Sequence, residues 1–292
     1  MAVSSIEAGS TDQSEVRELV RDWAAAADVI TAVRNVEQGR PDAWRPVYRG
    51  LAELGIFGVA LPEEHGGADG TVEELCVMVD EAAAALVPGP VATTAIATLL
   101  VDRPEVLTAL ASGERVAGVS LSADLRLDGG RVSGTADYVL GADPAGVLLV
   151  PAGDAVVLVD ANDPGVTVEP LEATDFSRPL ARVVCEGAAA DTLNVSAQRL
   201  ADVAAAVLAA EAAGVARWTL QTATEYAKVR EQFGRPIGSF QAVKHMCAEM
   251  LLRCEQAAVA AADAARAVGE SDAGQLSIAA AGAAAKGIEA AK

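Results

Sequence analysis

Positive charge is scarce in this sequence: 22 lysines and arginines stand against 41 aspartates and glutamates, a formal net charge of −19. A chain so acidic lacks the basic face that neutralises phosphates, which argues against nucleic acid or an anionic membrane as a partner. Cysteine is sparse as well. Cys76, Cys185, Cys247 and Cys254 form no C-x-x-C pair, which excludes a zinc ribbon and a thioredoxin-like motif. The opening stretch, MAVSSIEAGSTDQSE, has neither the basic nor the apolar region of a secretory signal. No uninterrupted apolar run approaches the ~20 residues of a membrane helix. The alanine-rich tracts at 203–213 and 257–265 are interrupted or bounded by Asp202, Glu211, Asp263 and Arg266. These absences predict a cytoplasmic protein with reduced thiols.

What the chain holds is apolar material, 52% of 292 residues, although aromatics make up only 3%. That composition excludes disordered and collagen-like architectures, and the length suits about two ordinary domains. Three zones differ in period. Up to about Leu110 the spacing is helical: Val16, Leu19, Val20 and Trp23 recur at three and four residues behind a Thr11-Asp12 cap. Further helices are expected over Trp44 to Leu54 and Thr71 to Ala85. Between Val116 and Val184, short β-branched runs at 116–121, 131–140, 147–150, 156–159, 166–168 and 182–185 alternate with turn clusters such as Asp128-Gly129-Gly130. Spacing too short for helical crossovers predicts an antiparallel sheet or barrel. From Ser196 onward the pattern is helical again, with a break at Gly234–Gly238. The expected domains are 1–114, 115–193 and 194–292, an α+β arrangement of helical, β and helical units.

Two segments carry chemistry. The first runs from Trp44 through Leu51, Leu54-Gly55, Gly58 and Pro62-Glu63-Glu64-His65-Gly66-Gly67. The second runs from Tyr226 to Met250 and contains Arg230-Glu231-Gln232-Phe233-Gly234, Ile237 and Phe240-Gln241. In the second, Arg230 closes one helix and Gln241 opens the next. The turn between them is expected to return both side chains to one edge. A planar, permanently charged guanidinium suits a pyrophosphate, and an amide suits a ribose or phosphate oxygen. Read on its own, Arg230 is better explained as a solvated cation at a helix C-terminus. Val243, Met246, Met250 and Cys254 follow at near-helical spacing and are expected in the core. His245 and Cys247 cannot share a helix face, so no metal site is expected.

Together these segments resemble the acyl-CoA dehydrogenase flavoproteins. That family shows W…L-x-x-L-G-x-x-G…P-E-E-x-G-G in an N-terminal helical domain and R-x-Q-F-G-x-x-I-x-x-F-Q in a C-terminal helical bundle, with an antiparallel β domain between. The resemblance implies that Arg230, Phe233 and Gln241 contact FAD held mainly by a neighbouring subunit. It implies a reaction, α,β-dehydrogenation of an acyl-CoA thioester.

Departures from the family pattern are equally informative. The T-E-P…G-S-D loop that holds the flavin ring is missing: Val116 to Arg131 leaves Ser120 and Ser122 as its only hydroxyls, read as edge-strand residues. Ala136 stands where a lysine is usual. The early position of the catalytic glutamate falls near Ala204 and Ala205, and Glu211, two turns on, reads as structural. The glycine-rich stretch before the family's later glutamate is also absent, and GAAAKGIEAAK reads as helix to Lys292 without a stop, so a truncated C-terminal domain is expected. The resemblance therefore implies a degenerate half, of the kind that bacterial steroid side-chain enzymes pair with a flavin-holding half in an α2β2 heterotetramer or a fused tandem. The alternative is a non-catalytic scaffold for a catalytic partner. The sequence names no catalytic residue.

Overall fold

Residues 11–270 and 272–291 are described in a computed structural model, without the side chains of Thr11 and Asp12. The Thr11-Asp12 cap, the signal reading of residues 1–10 and the helix stop sought after Lys292 fall outside the described residues.

Helices fill the first zone: α1 (Thr11–Ala26), α2 (Val29–Glu37), α3 (Arg45–Glu53), α4 (Val72–Ala84), α5 (Val91–Thr98) and α6 (Pro104–Ala111). A capping box starts α4. Thr71 Oγ1 accepts from the Glu74 N–H, and the Glu74 carboxylate accepts from the Thr71 N–H, satisfying two orphan donors reciprocally. Every residue of α5 is buried, so it has no polar face from which a helical period could be read. Tyr48 on α3 donates its hydroxyl to Thr94 Oγ1 on α5 at 2.9 Å, and Thr94 Oγ1 accepts the Ala117 N–H at 3.2 Å. That relay ties the helices to the sheet.

The sheet comprises β1 (Ala117–Val119), β2 (Asp124–Asp128), β3 (Arg131–Leu140), β4 (Val147–Ala152), β5 (Ala155–Asp160), β6 (Val166–Pro170) and β7 (Leu180–Ser196). Its order is β2-β3-β1-β4-β5-β7-β6, and an additional β3–β7 pairing closes five of these strands into a barrel. Neighbours are antiparallel except β1 and β4, which run parallel and are connected through the β2–β3 hairpin rather than a helix. The continuous apolar run of β4 is explained by burial on both faces. Leu148 and Val150 point into the barrel, while Val147 and Leu149 join the helical core. The charged alternation Asp-Leu-Arg-Leu-Asp of β2 hid a strand from the sequence reading. The alanine-rich 186–192 stretch hid most of β7.

After the sheet come α7 (Ala197–Val229), a hairpin of β8 (Glu231–Gln232) and β9 (Arg235–Pro236), α8 (Gln241–Gly269) and α9 (Ala273–Ala290). Ser196 caps α7 through the Arg199 N–H, and Asp272 caps α9. By length and composition alone α7 could cross a membrane, but half of its most apolar window is buried inside the protein. The stripe expected in the core of α8 is only partly there. Cys254 is buried, whereas Met246 is 64% exposed because the first turns of α8 leave the bundle.

Charge joins the two helical regions. Asp80 and Glu81 on α4 face Arg17 and Arg21 on α1 and Arg217 on α7, with N–O separations of 2.6–3.1 Å. Glu81 is only 3% exposed. Burial lowers the affinity of Arg17 for its proton, yet Asp80 and Glu81 more than reverse this and raise its pKa. Gly214 allows the approach of α7, since a β-carbon there would lie 2.0 Å from the Asp80 carbonyl oxygen.

Arg217→Ala leaves the buried Glu81 and half-buried Asp80 partly uncompensated and is expected to destabilise the protein by about 2–3 kcal/mol, less than a fully severed buried pair. Urea unfolding would measure this, with the exposed pair Arg34–Glu37 as a control whose removal leaves the midpoint unchanged. Alkali acts on the same core. Burial pushes the Cys76 thiol up to about 12, and burial likewise raises Tyr48 although its bond to Thr94 lowers it. Both groups stay neutral in the fold and ionise in the unfolded chain near pH 9–10. Their stabilisation is whole below about pH 8.5 and declines as pH rises toward 12. Stability at pH 10 is therefore expected to be about 1.5 kcal/mol below that at pH 8.

Candidate functional site

Two places on the molecule match the chemistry read from the sequence, at opposite parts of α7. The first is a cleft of about 580 Å³ between α5, the β1–β3 region and α7. Ile96, Val119, Leu140, Ala204 and Leu208 supply its apolar wall. Ala204, where the sequence placed the early catalytic position, therefore faces the cleft with a methyl group. Neither lysine, arginine nor histidine lines it, and its carboxylates are Asp124 and Asp137, the latter 3.2 Å from Arg182.

Ser120 also lines this cleft, but it differs from the expectation of an edge strand. β1 lies inside the sheet, and the buried Ser120 donates its hydroxyl to the Ser122 carbonyl at 2.8 Å while accepting the Ser122 N–H. Its hydroxyl is committed to its own turn. Ala136 is wholly buried in the barrel. Tyr138 is a lining residue that sequence reasoning missed. Strict alternation would place it inside with Ala136, but a bulge between Ala136 and Val139 turns it out, 72% exposed, and Val139 takes the inner position. Glu211 is held by Arg178 at 2.7 Å, in keeping with a structural role.

The second place is the α7–α8 connection. Arg230 ends α7, its N–H donating to Tyr226 and its carbonyl accepting from Ile237. Gln241 is the first residue of α8, and its amide nitrogen lies 2.9 Å from His245 Nε2. Both side chains are exposed, and Arg230 has no ion-pair partner among the described residues. Between them Glu231 pairs with Pro236 and Gln232 with Arg235, leaving Phe233-Gly234 as a two-residue turn. Their φ values are +54° and +74°, the signature of a type I′ turn. Glycine suits that position. Phenylalanine does not, and holding it there costs about 1–2 kcal/mol. The ring gains no burial in return, being 92% exposed. Backbone strain of this kind clusters at active sites, ligand clamps and switch regions.

The donor sets of the two places differ. The exposed Arg230 guanidinium, Gln241 amide and Phe233 ring at the hairpin fit the phosphate and ring surfaces of a dinucleotide such as FAD. The cleft, with carboxylates, no lysine, arginine or histidine, and the Ser120 hydroxyl bonded to its own turn, does not fit an anionic cofactor.

Comparison with known proteins follows the same division into zones. Residues 10–112 match the model of the acyl-CoA dehydrogenase N-terminal domain, and residues 180–290 that of the acyl-CoA dehydrogenase C-terminal domain. Acyl-CoA dehydrogenase FadE34 of Mycobacterium tuberculosis is 61% identical over 291 residues, covering 96% of this chain and 41% of the relative. The chain thus spans about two fifths of that relative's length. Among solved structures, a variant of the Tcur3481-Tcur3483 steroid ACAD superposes with a TM-score of 0.82 at 31% identity, covering 94% of this chain and 82% of that one. The ChsE4-ChsE5 complex from Mycobacterium tuberculosis gives 0.81 at 27% identity, covering 97% and 84%.

Relieving the turn should separate stability from binding. Phe233→Asn, whose side chain tolerates positive φ, is expected to stabilise the chain by about 0.5–1 kcal/mol in urea unfolding. A loss of stability would mean that the ring is packed rather than displayed.

Proposed function

The chain belongs to the acyl-CoA dehydrogenase family, and from that premise we propose that it is the half of a two-part flavoenzyme that lends contacts to FAD without holding the flavin ring. The enzyme would catalyse α,β-dehydrogenation of an acyl-CoA thioester, with the base supplied by the other half. FAD, when bound, supplies the hydride acceptor. Of this chain's residues, Arg230 would neutralise the pyrophosphate, Gln241 would hydrogen-bond a ribose or phosphate oxygen, and Phe233 would cover an apolar face of the cofactor.

One observation carries the reading. Ala204 in the cleft and Arg230 at the hairpin stand on the same helix, roughly 40 Å apart at 1.5 Å per residue. That is further than one FAD extends, so the hairpin would serve a cleft on another chain or another half. Ala204 in turn leaves this chain's own cleft without a carboxylate at the position where the resemblance places the early catalytic glutamate. Tyr226, Val229 and Met246 stand exposed around the hairpin, an apolar surface suited to a protein partner. The likeness to a steroid ACAD and to a two-component complex supports a second dehydrogenase subunit, in an α2β2 heterotetramer or a fused tandem, and a steroid or other polycyclic CoA thioester as substrate. We retain the domain limits 1–114, 115–193 and 194–292, and a cytoplasmic setting for the four free thiols.

Expressed alone, the chain is expected to be colourless. In the complex, charge-assisted contacts of about 1.5–3 kcal/mol each make Arg230→Ala weaken FAD binding by about one to two powers of ten. Arg230→Lys should recover part of the loss, and Gln241→Ala should cost less. Flavin fluorescence quenching on the apo-complex, with a size check on assembly, measures these. Loss of assembly with FAD affinity held within about twofold would instead identify a scaffold subunit.

A further inference from the structure

The hairpin carries a second guanidinium that the family motif does not specify. Gln232 pairs with Arg235, Glu231 pairs with Pro236, and the Ile237 N–H donates to the Arg230 carbonyl at 2.8 Å. Side chains alternate along a strand, so Arg230, Gln232, Arg235 and Ile237 share one face of the hairpin. Arg230 and Arg235 are then diagonal cross-strand neighbours, with backbones about 7–8 Å apart. The Arg235 guanidinium lies 4.2 Å from the centroid of the Phe240 ring, whose neighbour Phe233 stands edge-on at 6.1 Å and 85°. Stacking on an aromatic face holds the guanidinium plane while leaving its N–H edges free.

Charge is concentrated here against the trend of the chain. From Lys228 to Lys244 there are four cations, Lys228, Arg230, Arg235 and Lys244, and one carboxylate, Glu231, in a protein of net charge −19. Lys228 pairs with Glu225, but Arg230, Arg235 and Lys244 have no ion-pair partner among the described residues. Two like charges placed diagonally on one face repel each other, and an anion lying between them removes that repulsion. Two planar forks a short reach apart suit two linked phosphates better than one.

We propose that Arg235, fixed on Phe240, is the second arm of a diphosphate clamp whose first arm is Arg230. The ligand chemistry is an adenosine diphosphate group, which both FAD and coenzyme A carry. The inference rests on the proposed function above for its choice of FAD.

The test uses the flavin-free natural protein together with its flavin-holding half, titrated calorimetrically with ADP, AMP, FAD and coenzyme A. Arg235→Gln is expected to weaken ADP and FAD about tenfold but AMP less than about threefold, while Arg235→Lys recovers part of the loss. Phe240→Leu, which keeps the charge and removes its support, should give an intermediate loss. If Arg235→Gln leaves ADP within about twofold while Arg230→Ala loses tenfold, the second arm is refuted and the proposed function stands. If neither variant changes ADP or FAD binding, both are refuted. Equal losses for AMP and ADP would reduce Arg235 to a prop for Phe240 and overturn the clamp. A loss for coenzyme A but not FAD keeps the clamp and removes FAD as its ligand.

Discussion

An acidic pair, the buried Glu81 and the half-buried Asp80, is the constraint on which the arrangement of the molecule depends. Carboxylates removed from water demand compensation, and here three arginines from two other helices provide it. Because Arg217 belongs to α7 and Arg17 and Arg21 to α1, the demand fixes where α7 lies against the N-terminal helices. Gly214 on the same helix lets the backbones meet. The direction of α7 follows from this contact, and so does the placement of both candidate sites. One end of the helix walls the cleft and the other presents the hairpin.

Those ends differ in chemistry. At the cleft, Ala204 presents a methyl group and the Ser120 hydroxyl bonds to its own turn. At the hairpin stand a strained, exposed phenylalanine and guanidinium groups without ion-pair partners among the described residues. That contrast is what the proposed two-part enzyme rests on. The same division explains Met246, which is apolar, helically placed and nevertheless in solvent.

Much of this was legible in the sequence, for identifiable reasons. Helices with one apolar face, such as α3 and α4, announced themselves by period, and tight turns marked β3 to its exact ends. The helix α5 was hidden because burial on all sides erases periodicity, and β2 because its exposed face is charged. The long motif around Arg230 located the hairpin. It could not show that Arg235 shares its face, since that follows only from the strand register. The cleft was illegible for a different reason: its walls come from α5, β1, β3 and α7, distant in sequence, and a single bulge decides that Tyr138 lines it. Spacing fixes local direction, whereas bulges and long-range closure are settled by packing.

The central claim is that this chain contributes to a flavin site without possessing one. Its most direct measurement is the molar ratio of FAD to dehydrogenase halves in the purified natural assembly, obtained from flavin absorbance after denaturation and a calibrated protein mass. One FAD for every two halves is the expected result. One FAD for every half would mean that the cleft beside Ala204 holds a flavin after all, and would contradict the claim.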